Sequence, residues 1–315
     1  MMLVIFGPTV TGKTDLAINV ARSYKAEVIS ADSRQIYRHL DIGSGKASPG
    51  AKVIKKNGYW IVNRIKINGF DISDPLKNFS SADFSRYTYK VITKLEKSAK
   101  MPILVGGSGF YIKSALFGFD TFGIPGNEKL RKELNSLSVE ALYKELLSLD
   151  SKRALALNSS DRKNPRRLIR SIEVATSKSS TRANLVKPDK NSKKLIVCLT
   201  APNDFLYKRA DEWLDIRLTL GMIAEVKSLL EKYNNPEWFD SLGLEYRWLT
   251  RYILGKIPKK EALTNLRGDI HDLIRRQKTF INQFPQALIF DITKKDFKKE
   301  FENSLHLWYT QKNGK

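Results

Sequence analysis

Acid is in short supply in this sequence. Across 315 residues, 33 Asp and Glu stand against 55 Lys and Arg, a formal charge of +22. Such an excess concentrates polyanions near the surface and points to a nucleic-acid partner, with a lysine-rich but otherwise ordinary soluble enzyme as the alternative. Cysteine is almost missing: Cys198, inside the apolar run "LIVCLT", is the only one. That excludes a disulfide framework and a cysteine metal cluster, and leaves Cys198 as a core residue. Three scattered histidines, His39, His271 and His306, make no metal site. No apolar run approaches the roughly 18 residues of a membrane span. The opening "MMLVIFGPT" has neither a basic leader nor a small-residue cleavage site, and reads as a buried strand rather than a signal peptide. The expectation is a cytoplasmic chain.

What is present begins with an α/β pattern. Residues 2–6 read as strand, 13–23 as helix and about 27–30 as a second strand, the strand–loop–helix–strand opening of a parallel sheet. Two alternating runs around Asn57-Gly58 signal a hairpin. "SSADFSRYTYKVITKLEKSAK" opens on capping residues and keeps helical spacing, while "MPILVGG" is a buried strand followed by helix 109–117. Between 119 and 162 the text holds only short amphipathic helices and polar joints. This segment is therefore taken as a helical insertion into a core formed by 1–118 and 163–315. Residues 164–175 make a helix with Pro165 in its first turn. "TSKSSTRANLVKPDKNSKK" reads as loop, 195–202 and 287–292 as strands, and about 295–309 as a closing helix.

The chemistry starts at "GPTVTGKT", residues 7–14. Gly7 and Gly12 let the loop Pro8, Thr9, Val10, Thr11 turn its backbone N–H groups, which Pro8 lacks, onto phosphate oxygens. Lys13 supplies charge, and the Thr14 hydroxyl suits Mg²⁺. The apolar strand before it and the helix after it are the context that this motif requires. NTP-splitting relatives usually hold their metal with an acid ending a later strand. Here "PILV" ends in Gly106-Gly107-Ser108-Gly109 and "LIVCL" in Thr200-Ala201-Pro202. The acid at a strand end is Asp32, in "VISADSRQIY", either a helix N-cap or a base facing the loop. In "VGGSGFY", Ser108 opens a helix whose N-terminus attracts anions, or merely completes a tight turn. Three basic clusters remain: Arg166, Arg167 and Arg170; Tyr246-Arg247 with Trp248; and Arg275-Arg276-Gln277 with Phe280. Each is a solvated helix face or, with its aromatic neighbours, a means of gripping RNA.

Taken in order, "GPTVTGKT", "ISADSRQIYRHLDIGSGK", "SDPLKNFSSADF", "ILVGGSGFYIKSAL", "NPRRLIRSIEV", "GLEYRWLTRYILG" and "RRQKTFINQF" resemble the tRNA dimethylallyltransferases along nearly the whole chain. The resemblance implies a P-loop NTPase-like α/β core whose loop holds the diphosphate of dimethylallyl diphosphate. The dimethylallyl group would move to N6 of the adenosine 3′ of the tRNA anticodon. Asp32 matches the family's base, Lys13 and Thr14 with Mg²⁺ the diphosphate grip, and Ser108 a hydroxyl at the junction of the two substrates. Asp32, Ser33, Arg34 and Gln35, together with Arg131, Arg166, Arg167, Arg170, Tyr246, Arg247, Arg275, Arg276 and Gln277, match segments that touch tRNA. Arg209 matches a diphosphate contact. A monomer without a membrane partner is implied.

The sequence departs from the family's pattern in a few places. A second arginine one turn after Arg209 is Trp213 here, and Arg217, one turn further on, is the candidate substitute. The usual glycine before Tyr246 is Glu245, Trp248 replaces a polar residue, and Asn282 ends the last motif. The zinc finger of eukaryotic members is absent, as in bacterial types. The rival readings are a small-molecule kinase of the shikimate or nucleoside type, an isopentenyltransferase acting on free AMP or ADP, and an RNA-binding protein with a relict loop.

Overall fold

The computed structural model describes residues 1–118, 124, 126–177 and 193–311. Its elements are β1 (Met2–Phe6), α1 (Lys13–Ser23), β2 (Ala26–Ser30), β3 (Val53–Lys56), β4 (Tyr59–Val62), β5 (Ile65–Asn68), α2 (Ser81–Lys97), β6 (Met101–Gly106) and α3 (Gly109–Phe117). There follow α4 (Glu128–Leu134), α5 (Val139–Leu149), α6 (Ser151–Ala156), α7 (Ser159–Arg162) and α8 (Pro165–Thr176). The remainder is β7 (Lys194–Thr200), α9 (Asn203–Thr219), α10 (Met222–Tyr233), α11 (Pro236–Leu242), α12 (Leu244–Ile253), α13 (Lys259–Ile281), β8 (Leu288–Asp291) and α14 (Phe297–Thr310).

The sheet runs in the order β3-β4-β5-β2-β6-β1-β7-β8. From β5 to β8 every pairing is parallel; β3 and β4 add an antiparallel edge. All five residues of β1 are buried, as expected of a strand covered on both faces. Because side chains alternate, Met2, Val4 and Phe6 enter one core with Leu104, Leu206 and Ile274, while Leu3 and Ile5 enter the other with Ala17, Val197 and Phe301. Each such aliphatic side chain contributes about 1.5–3 kcal/mol when fully buried. Parallel strands also bring their carboxyl ends to one edge. The turns after β1, β2, β6 and β7 therefore emerge together, where α/β sheets carry their ligands.

Two expectations need correcting. The region around Asn57-Gly58 holds three strands rather than two: β4 turns into β5 through Asn63 and Arg64, with φ of 49° and 69°. Two consecutive left-handed residues make a mirror-image turn, and an arginine in it gives no glycine signature. Second, the insertion is larger than residues 119–162. The described parts of Met1–Leu116 and Pro188–Lys315 form one compact unit, and those of Phe117–Lys187 form another. The reason is α8, whose Leu168, Ile169 and Ile172 share a core with Leu134, Leu142 and Leu146 of α4 and α5. The expected loop from 178 to 192 lies outside the described residues. Among the described residues, no helix is long and apolar enough to cross a membrane.

Candidate active site and nucleic-acid face

The loop between β1 and α1 wraps closely. At Gly7 (φ 140°) a Cβ would lie 2.1 Å from the Leu199 carbonyl oxygen, so only glycine fits. Val10 takes a left-handed φ of 56°, which for a β-branched residue costs on the order of 1–3 kcal/mol. Gly12 (φ 79°) caps α1 in the same left-handed region. Inside the loop the Thr11 hydroxyl donates to the Pro8 carbonyl at 2.9 Å. The Lys13 ammonium donates to that carbonyl too, and to Thr11 Oγ1 at 3.4 Å. Burial pulls the Lys13 pKa down to about 8, with the Asp32 carboxylate opposing the shift. The ammonium is folded back on its own loop, where an arriving anion would favour its charged form. Thr14 sits half-buried in the first turn of α1. One backbone donor is already engaged: Thr9 N–H donates to Gln277 Oε1 at 2.8 Å, and Gln277 Nε2 donates to the Gly107 carbonyl at 3.0 Å.

The turn after β2 is stitched to the turn after β6. Ala31 N–H donates to the Val105 carbonyl at 2.7 Å and Ser108 N–H to the Ala31 carbonyl at 3.2 Å. Ser33 N–H donates to Ser108 Oγ at 3.0 Å. Residues 33–36 form turns, not the helix that the capping alternative for Asp32 requires. Its Oδ1 instead accepts from Arg34 N–H at 2.9 Å, an Asx-turn. The described residues offer no hydrogen bond to Oδ2. Asp32 thus presents a fixed carboxylate with one oxygen open, close enough to Lys13 to feel its charge. Gln35, matched to an RNA contact, is committed internally: it accepts from Ser30 Oγ at 2.6 Å and donates to the Ser44 and Gly45 carbonyls at 3.1 Å each. Arg34 has a buried Nη1 that no acceptor satisfies.

The basic residues divide sharply. Arg276 is exposed on α13. Arg275 bonds Tyr207 Oη at 2.9 Å and pairs with Asp272. Arg247 donates to the Asp240 carbonyl at 3.2 Å. Tyr246, expected to touch RNA, is fully buried, its hydroxyl donating to Glu225 at 3.1 Å. In the insertion, Glu173 is only 3% exposed and accepts from Arg131 (2.7 Å) and Arg170 (2.9 Å). Arg167 pairs with Asp161, and Arg166 is exposed. Arg209 is exposed, its guanidinium 5.6 Å from the Phe205 ring.

Arg217, the candidate substitute, is committed elsewhere. Its side chain is buried, and Nη1 donates at 2.7 Å to both Glu245 Oε1 and the Gly43 carbonyl. Glu245, one of the departures noted in the sequence, and Arg217 thus form one ion pair. Sequence reasoning also passed over Glu225, which accepts from three consecutive backbone amides, those of Asp41, Ile42 and Gly43, at 3.0, 2.6 and 2.9 Å. A signal exists: Glu225 interrupts the apolar stripe of Met222, Val226 and Leu229 on α10.

Comparison with known proteins identifies the family. The family model described as IPP transferase matches residues 35–284. The tRNA dimethylallyltransferase 1 of Azobacteroides pseudotrichonymphae is 34% identical over 280 residues, covering 89% of this chain and 88% of its own. That of Geotalea daltonii is 33% identical, covering 90% and 86%. The crystal structure of the full-length tRNA isopentenylpyrophosphate transferase of Bacillus halodurans superposes with a TM-score of 0.68 at 28% identity, over 99% of this chain and 97% of that one. A eukaryotic dimethylallyltransferase acting on tRNA shares the fold, with a TM-score of 0.73 at 22% identity over 94% and 75% of the two chains. The family model over residues 35–284, together with relatives 34% and 33% identical over most of both chains, leads to one assignment: the chain belongs to the IPP transferase family.

Proposed function

We propose that this protein transfers the dimethylallyl group of dimethylallyl diphosphate to N6 of the adenosine 3′ of the anticodon in tRNA. The observation that carries the reading is Asp32: a carboxylate held by its own turn, with Oδ2 open, beside a loop whose lysine is buried and ready for an anion. N6 attacks the allylic carbon, the C–O bond to the diphosphate breaks, and the N6 proton passes to Asp32. An adenine amine is a weak nucleophile, so removing that proton as the C–N bond forms is where a base contributes most. Lys13 and the N-terminus of α1 stabilise the charge that grows on the departing diphosphate. To meet Asp32, the adenosine leaves its stack, as bases do in enzymes that act on them.

A Mg²⁺ ion fits this site through Thr14, whose half-buried hydroxyl lies in the first turn of α1 beside the phosphate loop. Among the described residues no group of three or more His, Cys, Asp or Glu offers a metal cage, which accords with a cation held chiefly by substrate oxygens. When bound, the ion would neutralise diphosphate charge. For tRNA, Arg276 is an exposed cation of the core unit, which also carries Arg34, Arg247 and Arg275, and Arg166 is an exposed cation of the insertion, which also carries Arg131, Arg167 and Arg170.

The test is product analysis. The protein is incubated with an anticodon stem-loop, AMP, or shikimate, each with dimethylallyl diphosphate or ATP, and the products are weighed by mass spectrometry. A gain of one dimethylallyl group on the RNA adenosine is expected. Prenylated AMP alone, or phosphorylated shikimate, would replace the proposal with one of its rivals.

A further inference from the structure

The stretch from Asp32 to Lys46 carries the proposed base, yet its shape is imposed from far away. The Glu225 carboxylate collects the amides of Asp41, Ile42 and Gly43, and accepts from Tyr246 Oη. Three convergent N–H groups are the geometry with which loops hold anions, here filled by the chain's own side chain. Charge-assisted bonds of this kind are about twice as strong as neutral ones. Arg217 holds the Gly43 carbonyl from the other side. Gly43 lies so close that a Cβ there would come within 2.7 Å of Tyr246 Oη. The next two carbonyls, Ser44 and Gly45, receive the Gln35 amide, and Gln35 in turn accepts from Ser30 at the end of β2. A path of hydrogen bonds, joined by the backbone from Gly43 to Gly45, therefore runs from α10 to the turn that holds Asp32.

We propose that Glu225 is a positioning residue for the transfer step, which fixes residues 41–45 and through Gln35 sets the orientation of the Asp32 turn. This rests on the reading of Asp32 as the base. The donor loop is outside the path, because its tie to the rest of the protein is Gln277. The proposal therefore separates chemistry from donor binding.

Glu225→Gln keeps the shape, removes the charge and places an NH₂ group among three donors. The single-turnover transfer rate should fall about 10- to 100-fold, the scale of a misplacement near 1 Å. Donor Kd should stay within about twofold. Hydrogen exchange should speed up at 41–45 and also at 32–35, while 7–14 keeps its protection. Gly43→Ala, which pushes the same loop against Tyr246 and Glu225 without removing a charge, should give the same split, and serves if the first variant does not fold. Unchanged rates in a folded variant would overturn the proposal. So would rate and donor affinity falling together, or faster exchange confined to 41–45. If the wild type transfers nothing to RNA, the functional reading fails separately, and the exchange pattern still decides whether Glu225 governs the Asp32 turn.

Discussion

The loop at 7–14 and the loop at 32–46 meet at the same sheet edge but are held in opposite ways. The first is almost self-contained: Thr11, Lys13 and Pro8 bond one another, and Gln277 supplies the outside tie. It carries strain at Val10. The second makes few decisions for itself and is clamped by Glu225, Arg217 and the buried Lys46, whose ammonium bonds the Tyr37 carbonyl and Asp41 at 2.7 Å. The difference fits the proposed tasks. A phosphate is gripped by backbone amides and a helix N-terminus, which consecutive residues provide. A base must aim one oxygen at one proton, and that orientation comes from the surrounding fold.

The largest effect that separates the loops is expected at Asp32. Asp32→Asn should lower the single-turnover rate by about 10²–10⁴-fold, the usual worth of a general base, with donor affinity little changed. Full activity would reduce Asp32 to the anchor of its Asx-turn. Lys13→Ala should act on both: donor affinity falls by roughly 10- to 100-fold, as for losing a hydrogen bond to a charged group, when followed by calorimetry, and transfer slows as well. A rate loss without an affinity loss there would erase the contrast.

Acidity distinguishes them more gently. Lys13 titrates at about 8 in the free protein, and a bound diphosphate raises that value. Above pH 8 the complex then holds more protons than the free protein, so donor affinity should decline with rising pH, by up to about tenfold per unit. Isothermal titration across pH 7–9.5 checks the sign, and a flat profile would contradict it. The smallest expected effect concerns RNA. Exposed Arg276→Ala should flatten the log–log dependence of stem-loop binding on salt by about 0.7–0.9, one phosphate contact, whereas Arg217→Lys should leave the slope alone. Fluorescence titration at several salt concentrations reads both.

The loop at 7–14 was legible in eight consecutive letters because its contacts are local, and β1, α1 and the parallel core followed from the same stretch. Asp32 was legible as an acid at a strand end. Its supports were not: Glu225 lies 182 to 184 positions from the amides it binds, and no pattern in "MIAEVKSLL" says which ones. Arginines were ambiguous for a related reason. Charge shows in sequence, but its partner does not, so Arg131 and Arg170 on Glu173, or Arg217 on Glu245, look the same as the exposed Arg276. A buried pair such as Arg217–Glu245 also costs about 3–5 kcal/mol when one member is removed, which makes alanine at 217 a stability variant first.

Cys198 offers a clock. It lies in β7 opposite Phe6, fully buried beneath the phosphate loop, and burial pushes its thiol up to about 12. Alkylating reagents need an accessible thiolate, so they can mark this chain only after the centre of the sheet opens. With a single thiol in the sequence, the labelling rate counts those openings without interference from any other site. A ligand seated on the loop slows the count by the factor 1 + [L]/Kd when labelling requires the ligand-free, opened form. A thiol reagent and a mass spectrometer thus measure how firmly the floor of the donor site is shut, in a protein that needs no engineered probe.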